Sequence, residues 1–211
     1  MTTQIKICGV TNLDDALMCA RAGANFLGLN FYEPSPRSVD VATARAISDG
    51  ARAGFNLECV GVFVNQDKSE VERIMREGRL DIAQLHGDET IEDCLDLKSR
   101  GVRIIKALRV GESFKIDDAR VYADACEAVL LDAYDKTLYG GSGATFDWAV
   151  ARAVKQVVPR LFLAGGLKPA NVADAVRQVA PFAVDTASGV ESAARTKDES
   201  LVRAFIEATR K

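Results

Sequence analysis

Short runs of apolar residues alternate with segments in which apolar positions recur every three or four residues, and this alternation occurs eight times. Runs of the first kind predict buried β-strands, and segments of the second kind predict amphipathic helices. The predicted strands are residues 5–8, 25–31, 57–64, 82–85, 102–108, 128–132, 161–164 and 182–185.

Capping residues help to place the predicted helices between these strands. Asn12 is a favourable N-cap with Asp15 three residues later, and Gly23 suits the end of the same helix. Pro169 is favoured in a first helical turn and predicts the start of the seventh helix. The other predicted helices are residues 41–51, 68–76, 91–100, 117–126, 147–156 and 198–210.

Eight strand-then-helix units without a linker or a change in composition predict an α/β fold, a single (β/α)8 TIM barrel domain over residues 1–211. The alternative is an open, doubly wound sheet. Many such sheets carry G-x-G-x-x-G after the first strand, but Cys8-Gly9-Val10-Thr11-Asn12 lacks that spacing. The sequence therefore favours the barrel.

Glycine-rich turns follow the last two predicted strands. Gly165 and Gly166 follow the seventh strand, and Ser188 and Gly189 follow the eighth. Glycine lets backbone N–H groups approach a ligand closely, and the loops after strands 7 and 8 of such barrels often bind phosphate. Similar turns also occur without any ligand, but their position here predicts a phosphate site.

Three reactive side chains stand where predicted strands end, namely Cys8, Asp132 and Asp185. Alternation along the strands directs all three into the mouth of the barrel. A thiolate can serve as a base if the site lowers its pKa, and a carboxyl group can serve as an acid if burial raises its pKa. Such a pair suits proton transfer on a small phosphorylated sugar. The alternatives are a buried core cysteine and carboxylates that only cap helices or order loops.

Composition narrows the class of ligand. The 211 residues carry 27 Lys+Arg against 30 Asp+Glu, without a basic cluster for nucleic acid or an anionic membrane. The chain shows neither a membrane-spanning apolar run nor a signal-peptide pattern, and its five cysteines are scattered without a C-x-x-C pair. We therefore expect a cytoplasmic protein with reduced thiols and a small-molecule ligand. One histidine, His86, makes a histidine-based triad or a multi-histidine metal site an unfavourable hypothesis.

Seven short motifs follow one another along the chain: KICG with TNLDDA at 6–9 and 11–16, VGVFVN at 60–65, QLHG at 84–87, LLD at 130–132, YGGSGATFDW at 139–148, AGGL at 164–167 and PFAVDTASGVE at 181–191. In this order they resemble the motifs of the phosphoribosylanthranilate isomerase family of tryptophan biosynthesis. The resemblance covers nearly the whole chain. It implies a (β/α)8 barrel that performs an Amadori rearrangement of N-(5′-phosphoribosyl)anthranilate without a cofactor or metal.

The resemblance also implies roles for individual residues. Cys8 matches the general base, Asp132 the general acid, and Arg37 the cation that meets the anthranilate carboxylate. The alternative for Arg37 is a solvated loop cation. Asp185 matches an orienting residue near the ribose hydroxyls. The phosphate-facing positions that match are Gly141, Gly143, Gly165, Gly166, Ser188 and Gly189.

Some questions stay open at the level of sequence. The family often has Ser where this chain has Ala164 and Ala187, which leaves the side-chain contacts to phosphate undefined. His86 suits either an ordering hydrogen bond or a substrate contact. The competing functions are the related isomerase of histidine biosynthesis, whose acid and base are usually both aspartates, and a binding barrel without catalysis. The sequence allows a monomer or a homodimer.

Overall fold

A computed structural model of the chain describes residues 2–133 and 147–211. The strands are β1 (Gln4–Cys8), β2 (Phe26–Asn30), β3 (Glu58–Phe63), β4 (Ile82–Leu85), β5 (Ile104–Val110), β6 (Ala128–Ala133), β7 (Leu161–Leu163), β8 (Ala183–Thr186), β9 (Glu191–Ala193) and β10 (Thr196–Lys197). The helices are α1 (Leu13–Ala22), α2 (Val41–Arg52), α3 (Lys68–Glu77), α4 (Ile91–Ser99), α5 (Ile116–Ala125), α6 (Trp148–Lys155), α7 (Val172–Val179) and α8 (Glu199–Thr209), with a 3₁₀ turn at Ser188–Val190. The predicted Gly141 and Gly143 lie outside the described residues.

Strands β1 to β8 form a closed barrel in chain order, and neighbouring strands run parallel. The barrel closes where β1 pairs with β8, with Lys6 in register with Asp185. On its other side β1 pairs with β2, with Cys8 in register with Gly28. An open sheet would leave two edge strands unpaired, so the closed barrel confirms the predicted fold class and rules out the doubly wound alternative.

Strand alternation divides the apolar residues into two layers, as predicted. The inner layer comes from inward-facing strand positions and includes Leu130, Phe162 and Ala183. The outer layer includes Leu131 and Val184, which pack with residues of the surrounding helices. Because Asp132 and Asp185 stand two positions beyond Leu130 and Ala183, they share the inward direction.

Capping residues predicted both ends of α1 correctly and the start of α7 wrongly. The side chain of Asn12 accepts a hydrogen bond from the Asp15 N–H at 2.8 Å, and Gly23 ends α1 in the left-handed conformation at φ 106°. The predicted helix start at Pro169 is wrong, because α7 begins at Val172. The Asn171 side chain instead accepts from the Lys168 N–H at 2.8 Å, and this bond holds Pro169 in a separate turn.

A small antiparallel hairpin of β9 and β10 stands between the barrel and α8, in a segment where the sequence predicted no strand. Its Lys197 is buried, and the backbone N–H of Lys197 donates to Asp15 Oδ2 at 3.1 Å. The Lys197 ammonium donates to the Ala187 carbonyl at 3.0 Å. The hairpin is thereby fixed to the loop that follows β8. No helix among residues 2–133 and 147–211 is long and apolar enough to cross a membrane.

Candidate active site

A cavity opens at the carboxyl ends of the barrel strands. Every predicted site residue that the structure describes lines it: Cys8, Arg37, Asp132, Asp185, Gly165, Gly166, Ser188 and Gly189. Other residues also line the cavity. The sequence analysis left the role of His86 open and assigned none to Asn30, Ser35, Gln84 and Thr186. This is the end of the barrel at which loops gather reactive groups.

Cys8 stands at the end of β1, partly exposed, whereas the other four cysteines are buried. Its thiol occupies space that Gly28 on β2 leaves open, because a Cβ at Gly28 would lie 2.6 Å from Cys8 Sγ. Burial raises the pKa of Cys8, and the positive charge of Lys6 opposes that shift. The net effect is a raised pKa of Cys8, whereas the sequence analysis expected a thiolate base to need a lowered pKa.

Lys6 and Asp185 form a buried ion pair beside this thiol. Lys6 Nζ lies 3.0 Å from Asp185 Oδ1, and the Lys6 side chain is 0% exposed. Burial opposes the ammonium form, but the Asp185 carboxylate and Cys8 outweigh that effect and hold the pKa of Lys6 above its ordinary value of 10.5. The predicted orienting residue Asp185 is therefore itself held by a lysine from the neighbouring strand.

Asp132 stands at the end of β6 with its two carboxylate oxygens in different surroundings. Oδ1 accepts a hydrogen bond from the Ala133 N–H at 2.9 Å, and Oδ2 lies 3.3 Å from His86 Nε2. Gln84 Nε2 lies 3.0 Å from His86 Nδ1. With the Gln84 amide donating to Nδ1, the proton of a neutral imidazole resides on Nε2, toward Asp132. Among the described residues His86 Nε2 has no hydrogen-bond partner, so His86 lies beside the candidate acid without engaging it.

Arg37, in the loop after β2, is held in a bidentate ion pair. Its Nε and Nη2 donate to the two oxygens of Glu191 at 2.9 and 2.6 Å. Glu191 also accepts from Lys197 Nζ at 2.8 Å. The Arg37 side chain is 14% exposed and that of Glu191 is 4% exposed, so Arg37 is not the solvated loop cation of the alternative hypothesis. Arg37 lines the cavity, and its guanidinium is fixed by Glu191.

The two glycine turns pack directly against each other. Gly165 and Gly166 adopt the left-handed conformation at φ 84° and 61°. A Cβ at Gly189 would lie 2.1 Å from the Leu167 carbonyl oxygen, so only glycine fits this contact. Thr186 Oγ1 donates to the same carbonyl at 2.7 Å. Backbone of both loops is thus gathered at one side of the cavity, as a phosphate site requires.

Sequence reasoning missed four residues that shape this site: Lys6, Gly28, Glu191 and Lys197. Lys6 had a readable signal, because it is a lysine inside an otherwise apolar strand and shares the face of Cys8. The pairing of Arg37 with Glu191 had none, since 154 positions separate the two residues. Chemically, the cavity brings together a thiol, two carboxylates, a fixed arginine and two glycine turns.

Known proteins share both the sequence and this architecture. Residues 5–208 match the family of N-(5′-phosphoribosyl)anthranilate (PRA) isomerases. A relative from Geobacter sulfurreducens, the N-(5′-phosphoribosyl)anthranilate isomerase, is 47% identical over 203 residues, which cover 96% of each chain.

Two solved structures extend the likeness to three dimensions. The phosphoribosyl anthranilate isomerase of Thermotoga maritima is 36% identical with a TM-score of 0.90, covering 99% of this chain and 98% of the other. A phosphoribosyl anthranilate isomerase in complex with reduced 1-(o-carboxyphenylamino)-1-deoxyribulose 5-phosphate is 34% identical with a TM-score of 0.86, at the same coverage. The extent of these matches, together with the closed barrel, establishes that this chain belongs to the N-(5′-phosphoribosyl)anthranilate isomerase family.

Proposed function

We propose that this chain converts N-(5′-phosphoribosyl)anthranilate to 1-(o-carboxyphenylamino)-1-deoxyribulose 5-phosphate, with Cys8 as base and Asp132 as acid. It is an isomerase of tryptophan biosynthesis. The observation that carries the assignment of roles is that Cys8 from β1 and Asp132 from β6 line one cavity. Two strands of the barrel, β7 and β8, separate β1 from β6, so the two groups approach a ligand from different sides.

The reaction begins with opening of the sugar ring. Asp132 donates its proton to the furanose oxygen, the bond from C1 to that oxygen breaks, and the nitrogen lone pair forms the Schiff base. Because Asp132 Oδ1 accepts the Ala133 N–H, the transferable proton resides on Oδ2. Cys8 then removes the proton from C2, and the electron pair of that C–H bond neutralises the Schiff base. The enol that results tautomerises to the aminoketose as its hydroxyl proton is replaced by one on C1. Cys8 then releases its proton to solvent and Asp132 takes one up, so the cycle closes and the isomerisation needs no redox partner.

The remaining site residues bind and orient the substrate. Arg37 meets the anthranilate carboxylate, since this residue lines the cavity and its guanidinium is held in place by Glu191. Asp185 orients the ribose hydroxyls with the oxygen that Lys6 does not engage. The phosphate is bound by backbone groups of the glycine turns, at Gly165, Gly166, Ser188 and Gly189, and by Gly141 and Gly143.

The fluorescence of phosphoribosylanthranilate provides a direct test. Purified protein without added metal should abolish that fluorescence rapidly, and the Asp132→Asn variant should not. Asp117→Asn is the matched control, because the Asp117 side chain is 87% exposed on α5. Decay that survives in Asp132→Asn would remove Asp132 from the acid role while leaving the reaction itself in place.

A folded wild-type protein that produces no decay would overturn the proposed reaction. The aminosugar substrate of the histidine pathway would then be tested with the same protein, and failure with both substrates would favour a binding role. We further propose that residues 1–211 act as one domain, as a monomer or homodimer, in the cytoplasm. Size-exclusion chromatography coupled to light scattering decides between the two oligomeric states.

A further inference from the structure

We propose that Lys6 is a positioning residue of the reaction, whose buried ammonium group stabilises the thiolate form of Cys8. This inference rests on the proposed role of Cys8 as the base. Lys6 does not itself meet the substrate, because its side chain is 0% exposed and does not line the cavity. It acts through its neighbour, two positions further along the same face of β1.

The ammonium and the thiol share one small space. A Cβ placed on Gly28 would lie 2.6 Å from Cys8 Sγ and 3.0 Å from Lys6 Nζ, so both groups lie against the same bare stretch of β2. Two residues apart on a strand, their side chains point in the same direction. At such short range and away from water, a unit positive charge strongly favours a neighbouring anion.

The charged groups around the thiol leave one positive charge unbalanced. Lys6 on β1 pairs with Asp185 on β8, while Arg37 after β2 and Lys197 on β10 share the carboxylate of Glu191. Among residues 2–133 and 147–211, these are the charged groups that act on Cys8 or pair with the groups that do, and they comprise three cations and two carboxylates. A thiolate would make the cluster neutral. Transfer of the C2 proton to Cys8 would restore the single positive charge.

Lys6 dominates among these cations. Burial is the largest influence on the pKa of Cys8 and raises it, and Lys6 is the strongest influence in the opposite direction, ahead of Lys197. A buried lysine usually loses its proton readily, but here the pKa of Lys6 stays above 10.5. Burial therefore does not discharge Lys6, which is the condition that a thiolate-stabilising group must meet.

The test is the pH dependence of Cys8 alkylation in the free enzyme. Iodoacetamide reacts with the thiolate, and mass spectrometry of the peptide that contains Cys8 follows the labelling of this thiol alone. Burial raises the pKa of Cys19 to about 12, so that cysteine serves as an unreactive internal reference. Because the assay involves no substrate, it can fail while the proposed isomerisation stands, and the reverse also holds.

Lys6→Met should move the labelling midpoint of Cys8 upward by at least about one pH unit, which slows labelling about tenfold at a fixed pH below both midpoints. The low-pH limb of kcat/KM should move in the same direction. Lys106→Met is the matched control, because Lys106 is also buried and paired with a carboxylate, that of Glu89. It should leave the midpoint of Cys8 where it is. Circular dichroism verifies that each variant is folded.

Asp185→Asn provides a second and opposite shift. The Asp185 carboxylate raises the pKa of Cys8, so its removal should lower the labelling midpoint. A general loosening of the site would let water reach the thiol and lower the labelling midpoint of Cys8 in every variant. The upward shift expected for Lys6→Met has the opposite sign and cannot be caused by loosening. An unchanged or lowered midpoint in folded Lys6→Met overturns the proposal. If that variant does not fold, an unchanged or raised midpoint in Asp185→Asn overturns it.

Discussion

Gly28 lies directly opposite Cys8 in the register between β1 and β2, and the thiol occupies the place of its missing side chain. The relationship leads to a prediction about activity. In Gly28→Ala the new Cβ would lie 2.6 Å from Sγ, so the thiol must move. We expect kcat/KM to fall about a hundredfold, since a displacement of about 1 Å at a reacting group has that effect.

Gly54→Ala is the control for that substitution. A Cβ at Gly54 has no neighbour within 4 Å, so wild-type activity is expected. Full activity of Gly28→Ala, measured by steady-state kinetics, would mean that the position of the thiol does not control the reaction.

Replacement of the base itself should impair the chemical step. Cys8→Ser keeps the shape of the side chain but substitutes a hydroxyl, which ionises far less readily than a thiol. We expect kcat to fall at least about a hundredfold, the usual contribution of a general base. Thermal unfolding should change little because Cys8 is partly exposed.

Cys19→Ser provides the opposite pattern. Cys19 is a buried residue of α1, so its replacement should lower the unfolding temperature and leave kcat nearly unchanged. Near-normal turnover in Cys8→Ser would remove that residue from the role of base.

Loss of the Arg37 guanidinium should weaken substrate binding more than folding. In Arg37→Ala we expect KM to rise and the free energy of unfolding to fall by about 2 kcal/mol, because Glu191 loses charged hydrogen-bond donors. Arg45→Ala, which removes a half-exposed arginine on α2, serves as the control. Unchanged KM and kcat in Arg37→Ala would restrict this residue to a structural part.

Stability should depend on the ionisation of Glu191. Burial alone would raise the pKa of Glu191, but hydrogen bonds from Arg37 and Lys197 outweigh burial and hold it below the ordinary value of 4.5. A lowered folded pKa means that the stabilisation is fully present above about pH 4.5 and is lost as the pH falls through the lowered value.

Urea unfolding of wild type and Glu191→Gln at several pH values tests this. Wild type should be the more stable protein at pH 7, and the difference should shrink below about pH 4.5. The exposed Glu207→Gln should follow wild type throughout. A difference between wild type and Glu191→Gln that stays constant into the acid range would contradict the prediction.

The residues at the strand ends were predictable because strand alternation and barrel geometry are local rules. A residue two positions beyond a buried inward-facing leucine or alanine also points inward, which placed Asp132 and Asp185 correctly. The helix start at Pro169 was predicted wrongly because proline suits several turn conformations besides the first turn of a helix. The hydrogen bond accepted by the Asn171 side chain favours a separate turn at Pro169, and α7 begins after it.

The cluster around Arg37 was not predictable in the same way. Its carboxylate partner Glu191 is 154 positions away in the chain. Glu191 also lies in a hairpin strand that hydrophobic periodicity did not predict. The direction of the Cys8 pKa shift was also out of reach, because it depends on how completely neighbouring strands exclude water. The reactive groups could be identified from the sequence, but the balance of charges around them could be determined only from the three-dimensional packing.

The pairing of β1 with β8 determines when the site can form during synthesis on the ribosome. Lys6 and Asp185 are 179 positions apart, so the thiol leaves the exit tunnel long before its electrostatic surroundings have been synthesised. Arg37 likewise waits for Glu191. A nascent chain that ends before β8 carries the cysteine without this environment. Catalytic competence should therefore arise late and abruptly during translation, when β8 joins β1 and Glu191 of β9 reaches Arg37.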